Sequence, residues 1–133
     1  MRVFKFGGAS VKDAEGIKNV YDVLQKVGYE DVLLVVSAMG KTTNALEEVI
    51  KNYFEKSEEL NSSVQEVKKY HNQILLDLFE DEKNEVFGAV NTLFSELEYF
   101  LAHNKSPNYN FVYDQIVSYG ELISTTILSH YMS

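Results

Sequence analysis

Arg2-Val3-Phe4-Lys5-Phe6-Gly7-Gly8-Ala9-Ser10 stands at the start of the chain, and this stretch together with residues 11–36 decides the fold. Residues 2–6 alternate and are rich in aromatic groups, which suits a short strand, and Gly7-Gly8 breaks it. Ser10 is expected to cap a helix, with Asp13 three residues on placing negative charge at the helix N-terminus. Ile17, Val20, Tyr21, Leu24 and Val27 recur at helical spacing, and Gly28 is placed to end the run. Val32-Leu33-Leu34-Val35-Val36 then runs without alternation, the pattern of a strand buried on both faces of a parallel sheet. Strand, helix and strand in this order make a βαβ unit, whose crossover is expected to be right-handed. The fold class is therefore α/β.

Beyond Ser37 the pattern is helical. Leu46, Val49, Ile50, Tyr53 and Phe54 share one stripe. Val67, Ile74, Leu75, Leu78 and Phe79 share a second, and Val86, Val90, Leu93, Phe94, Leu97 and Leu101 a third. These predict three helices that carry most of the acid on solvated faces and pack as a small hairpin system. Pro107, the single proline, marks a loop over residues 104–108. A last helix carries Phe111, Val112, Ile116, Tyr119, Leu122, Ile123 and Ile127. No internal repeat or flexible linker interrupts this order, and 133 residues fit one domain.

The formal net charge of −8 disfavours nucleic acid as a partner, because such binding neutralises phosphates with Lys and Arg. The charge is uneven. Residues 1–41 hold six basic and five acidic residues, a net +1 that leaves −9 for the rest, so a small anion is better received at the N-terminal end. The absence of cysteine removes disulfides and thiolate metal sites. His71, His103 and His130 form no metal motif and read as surface or packing residues. No apolar run is long enough to span a bilayer, and residues 3–6 are too short for a signal-peptide core, so the expected compartment is the cytoplasm.

Three segments carry chemistry. In Lys5-Phe6-Gly7-Gly8-Ala9-Ser10 a lysine leaves the end of a strand and two glycines precede a helix. Glycines admit a ligand close to backbone N–H groups, and the helix N-terminus and the lysine add positive charge. The segment is either a phosphate cradle or a tight strand-to-helix turn with a solvated lysine. Ser37-Ala38-Met39-Gly40-Lys41-Thr42-Thr43-Asn44 comes after the second strand, at the C-terminal edge where open α/β sheets bind ligands. Gly40-Lys41-Thr42 is not a P-loop, because that motif needs glycine at the position held by Val35. The plainer reading is a loop in which Thr43 or Asn44 caps the next helix. In Ser118-Tyr119-Gly120-Glu121-Leu122-Ile123-Ser124 a glycine interrupts a helical pattern, which costs roughly 1 kcal/mol against alanine and implies that something passes close by. A buried Glu121 carboxylate facing a ligand amine accounts for both residues, as does a surface glutamate beside a packing glycine.

Taken together and in this order, the three segments resemble the signatures of the amino-acid kinase superfamily, and within it the aspartate kinases: an opening KFGGTS strand, a VSAMG-type loop followed by threonine and asparagine, and a later helix with GE-L-S. The resemblance covers the whole chain. It implies the N-terminal part of a carbamate-kinase-like α/β/α sandwich with a largely helical insertion. It also implies phosphoryl transfer from ATP to the side-chain carboxylate of L-aspartate, giving 4-phospho-L-aspartate, the entry to lysine, methionine and threonine synthesis. By the same resemblance Lys5 contacts the transferring phosphoryl group. Phe6, Gly7, Gly8, Ser10 and Ser37 surround the ATP phosphates, Thr43 and Glu121 hold aspartate, and Mg2+ travels with the nucleotide, with no protein metal site. Where that family has threonine this chain has Ala9, which keeps the backbone donor and loses a hydroxyl.

Residues 1–133 are thus expected to form the N-terminal part of a catalytic domain, without the remainder of the kinase domain or the regulatory ACT domains, inactive alone and prone to associate with itself as a homo-oligomer. Lys5, Gly7, Gly8, Ser37, Thr43 and Glu121 are expected to converge on one crevice. The alternatives are a superfamily kinase acting on a different carboxylate, carbamate or nucleotide, and a non-catalytic helical module.

Overall fold

The computed structural model describes residues 2–28 and 32–132. Strand β1 (Arg2–Phe6) leads into helix α1 (Ala14–Val27) and strand β2 (Val32–Val36). Four helices come next: α2 (Thr42–Glu55), α3 (Leu60–Leu78), α4 (Glu85–His103) and α5 (Tyr109–Met132). The loop expected around Pro107 lies between α4 and α5. No helix among the described residues is long and apolar enough to cross a membrane.

The two strands pair in parallel, with Arg2 opposite Val32 and Phe6 opposite Val36. Side chains alternate between the faces of the sheet. Phe4, Phe6 and Leu34 pack against the helical core, and Val36 is buried in it. On the other face Val3 is 61%, Leu33 51% and Val35 41% exposed, and Lys5 is exposed beside them. The expectation that β2 is buried on both faces is therefore corrected. An apolar run of five residues records only that each side chain tolerates burial, and here helices cover one face of the ribbon.

Helix α1 begins later than Ser10 suggests. Ser10 N–H donates to the Gly7 carbonyl at 3.0 Å and Val11 N–H to the Gly8 carbonyl at 3.3 Å, so residues 7–11 form turns. Asp13 is the N-cap: its carboxylate accepts from Gly16 N–H at 2.8 Å, an interaction worth about 1 kcal/mol. Gly28 closes the helix as expected, with a positive φ of 76° but ψ 141°, outside the left-handed helical region and open chiefly to glycine. Helix α2, by contrast, begins earlier than expected. Lys41 is its N-cap without a side-chain bond, and Thr43 and Asn44 sit inside its first turn rather than capping it. The Thr42 hydroxyl donates to the Met39 carbonyl at 2.5 Å and ties the loop to the helix from within.

Helix α5 organises the rest. It packs on α2, on α4 and on β2, and Tyr131 near its end meets Tyr21 of α1 edge to face at 5.4 Å. The residues just after β2 and the first turn of α2 are thereby held against the middle of α5.

Candidate functional site

Backbone bonds join the two loops at the C-terminal edge of the sheet. Ser37 N–H donates to the Phe6 carbonyl at 3.0 Å, which carries the parallel pairing one residue beyond the strands. Gly40 N–H donates to the Gly8 carbonyl at 3.0 Å. The two glycines of the first loop differ in purpose. A Cβ on Gly8 would lie 2.9 Å from the Ala38 carbonyl oxygen and 3.1 Å from that of Gly40, so the loops meet this closely only because Gly8 has none. A Cβ on Gly7 would meet nothing within 4 Å. Gly7 faces open space, where a ligand has room to approach the backbone.

Helix α5 reaches the same place. The Ser124 hydroxyl donates to the Ser37 carbonyl at 2.8 Å and also to the Glu121 carbonyl at 3.1 Å. Gly120 is buried, and a Cβ there would lie 2.9 Å from Ala38 Cβ, 3.2 Å from Leu46 Cδ1 and 3.3 Å from Thr42 Cγ2. The glycine does mark a close approach, and what approaches is the second loop and α2. Glu121 itself is exposed, so the expectation of a buried carboxylate is corrected. Gly120 faces the loop, and its neighbour in the helix is turned by about 100° toward solvent.

The second segment is therefore in contact with both the first and the third, and the polar groups they carry are open. Lys5, Ser10 and Glu121 are exposed, and Ser37 and Thr43 are half-buried. Among the described residues the Lys5 amine, the Ser10, Ser37 and Thr43 hydroxyls and the Glu121 carboxylate have no protein hydrogen-bond or ion-pair partner, and no buried side-chain polar atom is left unsatisfied. Gly7, Gly8 and Ala9 donate their N–H groups to no protein acceptor among those residues, whereas the Ser10 N–H is committed to Gly7. Ser10 can thus offer a ligand its hydroxyl only. A depression of about 500 Å³ beside this loop is lined by Phe6, Ala9 and Ser10, but also by Lys12, Asp13 and Glu15. Two carboxylates against one lysine leave its lining net negative, so that depression is a poor seat for a phosphate. No group of three or more acidic or imidazole side chains suited to a metal occurs among the described residues.

Several supporting residues gave little sequence signal. Ser124 closes the third segment, yet its bond to Ser37 is visible only in three dimensions. Gly16 lies in the first turn of α1, where a Cβ would overlap the Ser10 carbonyl oxygen, and its signal is the one that singled out Gly120: a glycine inside a helical pattern. Tyr70 and His71 of α3 support the loops from behind. The Tyr70 hydroxyl donates to the Lys12 carbonyl. The fully buried His71 donates from Nδ1 to the Val67 carbonyl at 2.8 Å and sets Nε2 3.5 Å from the Thr42 hydroxyl.

Burial pushes the His71 imidazole below its ordinary value of 6.5, and its bond to Val67 offsets part of that fall. The ring is neutral in the folded protein at neutral pH. The unfolded chain takes up this proton as pH falls through about 6.5, before the folded chain does, so stability present above that pH is lost below it, by at most about 1.4 kcal/mol per pH unit. His71→Leu is expected to flatten the fall in urea midpoint between pH 7 and pH 5.5. An unchanged slope would assign the acid sensitivity to carboxylates instead.

The model of the amino acid kinase family matches residues 1–133. Aspartokinase 1, chloroplastic, of Arabidopsis thaliana is 33% identical over 98% of this chain, which spans 23% of that protein. Two solved structures of E. coli aspartokinase III superpose on it. One, in complex with aspartate and ADP, has a TM-score of 0.75 at 25% identity over 99% of this chain. The other, in complex with lysine and aspartate, has a TM-score of 0.77 at 24% identity over 98% of this chain and speaks for the fold alone. The chain spans 28% of each of these, about a quarter of the proteins it resembles. The chain belongs to the amino acid kinase family, and within that family its likeness is to aspartokinases.

Proposed function

We propose that this segment forms part of an aspartate kinase active site, contributing the phosphate cradle and one side of the aspartate pocket within a carbamate-kinase-like α/β/α sandwich. The observation that carries the reading is the joining of the three signature segments by the Gly40–Gly8, Ser37–Phe6 and Ser124–Ser37 bonds, with their polar side chains left open. In the proposed reaction a side-chain carboxylate oxygen of L-aspartate forms a bond to the γ-phosphorus of ATP as the bond to the β–γ bridging oxygen breaks, and ADP leaves. Such a transfer depends on positioning and charge stabilisation. Lys5 meets the charge on the transferring group. The free amides of Gly7, Gly8 and Ala9 and the hydroxyls of Ser10 and Ser37 fit the phosphate chain. Thr43 donates to the substrate, and Glu121 faces its ammonium. Mg2+ would neutralise phosphate charge, held by the nucleotide.

A coupled assay for ADP tests the reading. The polypeptide that joins this segment to the rest of a kinase domain is expected to release ADP in the presence of L-aspartate, ATP and Mg2+, and not with other carboxylates, carbamate or nucleotide acceptors. Preference for any of those would overturn the substrate assignment. Residues 1–133 alone are expected to show no turnover, because misplacement of either substrate by about 1 Å can cost on the order of a hundredfold.

A further inference from the structure

The helical hairpin reaches back to both binding loops through two consecutive residues of α3. The Tyr70 hydroxyl donates to the Lys12 carbonyl, 58 residues away and just past the phosphate-side loop. The same oxygen lies over the second loop: a Cβ on Gly40 would stand 2.5 Å from it. Gly40 has φ 52°, a backbone conformation that favours glycine, and a Cβ there would also push the Tyr70 hydroxyl aside. His71 lies behind the same loop. Its Nδ1–H bond to Val67 and edge-to-face contacts with Tyr70 at 5.2 Å and Phe94 at 5.8 Å fix the ring plane. Nε2 then stands beside the Thr42 hydroxyl, which has one proton and donates it to the Met39 carbonyl at 2.5 Å. Nε2, the unprotonated nitrogen of this tautomer, offers that hydroxyl a second acceptor at 3.5 Å, so the rotor is limited to two directions, Met39 and the ring.

We propose that Tyr70 and His71 are positioning residues, which set the phosphate-side loop and the first turn of α2 relative to each other and so place Thr43 for the acceptor substrate. This rests on the aspartate kinase reading for its functional half only. A leucine in place of the buried His71 and a phenylalanine in place of the exposed Tyr70 could fill the same volume, and they would leave the Lys12 carbonyl and the Thr42 hydroxyl rotor unguided. Directed polar contacts, one exposed at Tyr70 and one buried at His71, favour one arrangement where apolar packing tolerates several. The assignment gives α3 a role in the site although neither of these two residues need touch a ligand.

The test uses three variants. Tyr70→Phe removes one oxygen, His71→Leu removes both ring nitrogens, and His71→Gln keeps an amide able to reach Thr42. In the 133-residue chain, amide hydrogen exchange at residues 40–45 is expected to speed up about tenfold in Tyr70→Phe and His71→Leu, with exchange in the middle of α4 unchanged. In a polypeptide with a complete kinase domain, His71→Leu is expected to raise the KM of the acceptor about tenfold, with the KM of ATP within about twofold, and His71→Gln to recover most of the loss. Exchange that is unchanged in both variants, or faster everywhere alike, would overturn the brace. Unchanged acceptor KM in a working kinase would overturn its functional half. If the unaltered polypeptide shows no aspartate kinase turnover, the proposed function fails while the exchange result still decides the brace. Should His71→Leu fail to fold, Tyr70→Phe carries the comparison.

Discussion

Replacing Lys5 with alanine, in a polypeptide that carries this segment and the rest of a kinase domain, is expected to lower kcat about 100- to 1,000-fold and leave stability within about 0.5 kcal/mol. The second half rests on the fold. Lys5 lies on the open face of the ribbon, exposed and without a protein partner among the described residues, so its removal breaks no native contact. The first half rests on the reaction. A cation in water gains little from a nearby anion, but beside a transferring phosphoryl group from which solvent is excluded the same charge is worth several kcal/mol. The effect falls on kcat because the charge to be stabilised is largest in the transition state. Glu121→Ala is expected to behave differently, raising the KM of aspartate about tenfold or more with a smaller change in kcat, because an ion pair to the substrate ammonium exists already in the ground state. Steady-state kinetics on both variants, with urea unfolding as the control for stability, separates the two roles. Equal and small losses from both changes would show the roles to be misassigned.

The elements of this fold are legible in the sequence because each has a strong period or strong punctuation. The 3.6-residue stripes of α1 to α5, the strand before Gly7 and the stops at Gly28 and around Pro107 all agree with the structure. What the sequence hides is whatever depends on a partner brought in from elsewhere. Ser10 and Asp13 are both good capping residues, and Asp13 wins because Gly8, tied to Gly40 across the loops, keeps residues 7–11 in turns. Val32-Leu33-Leu34-Val35-Val36 cannot say how many of its faces are covered. The site divides in the same way. Gly8, Gly40 and Gly120 stand out by residue type, Gly8 and Gly120 because a Cβ would overlap fixed neighbours and Gly40 because of its positive φ. The exposure of Glu121 and the bonds from Tyr70, His71 and Ser124 turn on helix rotation and on contacts between residues tens of positions apart, which no local pattern encodes.

Gly120→Val is expected to lower stability by about 3 kcal/mol and to loosen the site with it. The nearest atom to the added Cβ is Ala38 Cβ at 2.9 Å. That atom is fixed directly to the backbone between Ser37 and Met39, so no side-chain rotation relieves the overlap. Leu46 Cδ1 at 3.2 Å and Thr42 Cγ2 at 3.3 Å close the remaining directions, and valine adds two methyl groups where a single Cβ already does not fit. Relief must come from moving α5 away from the loop, which stretches the 2.8 Å bond from the Ser124 hydroxyl to the Ser37 carbonyl. Gly120→Ala is a finer probe, because a gain in helix propensity of about 1 kcal/mol offsets part of the overlap. Its partner is Ala38→Gly, which removes the opposing Cβ. If the overlap is between these two atoms, the double variant is more stable than the sum of the single changes allows, by about 1 kcal/mol in a double-mutant cycle of urea unfolding. Additivity within about 0.5 kcal/mol would mean that α5 yields elsewhere and that Gly120 is not what holds the helix against the Ser37 loop.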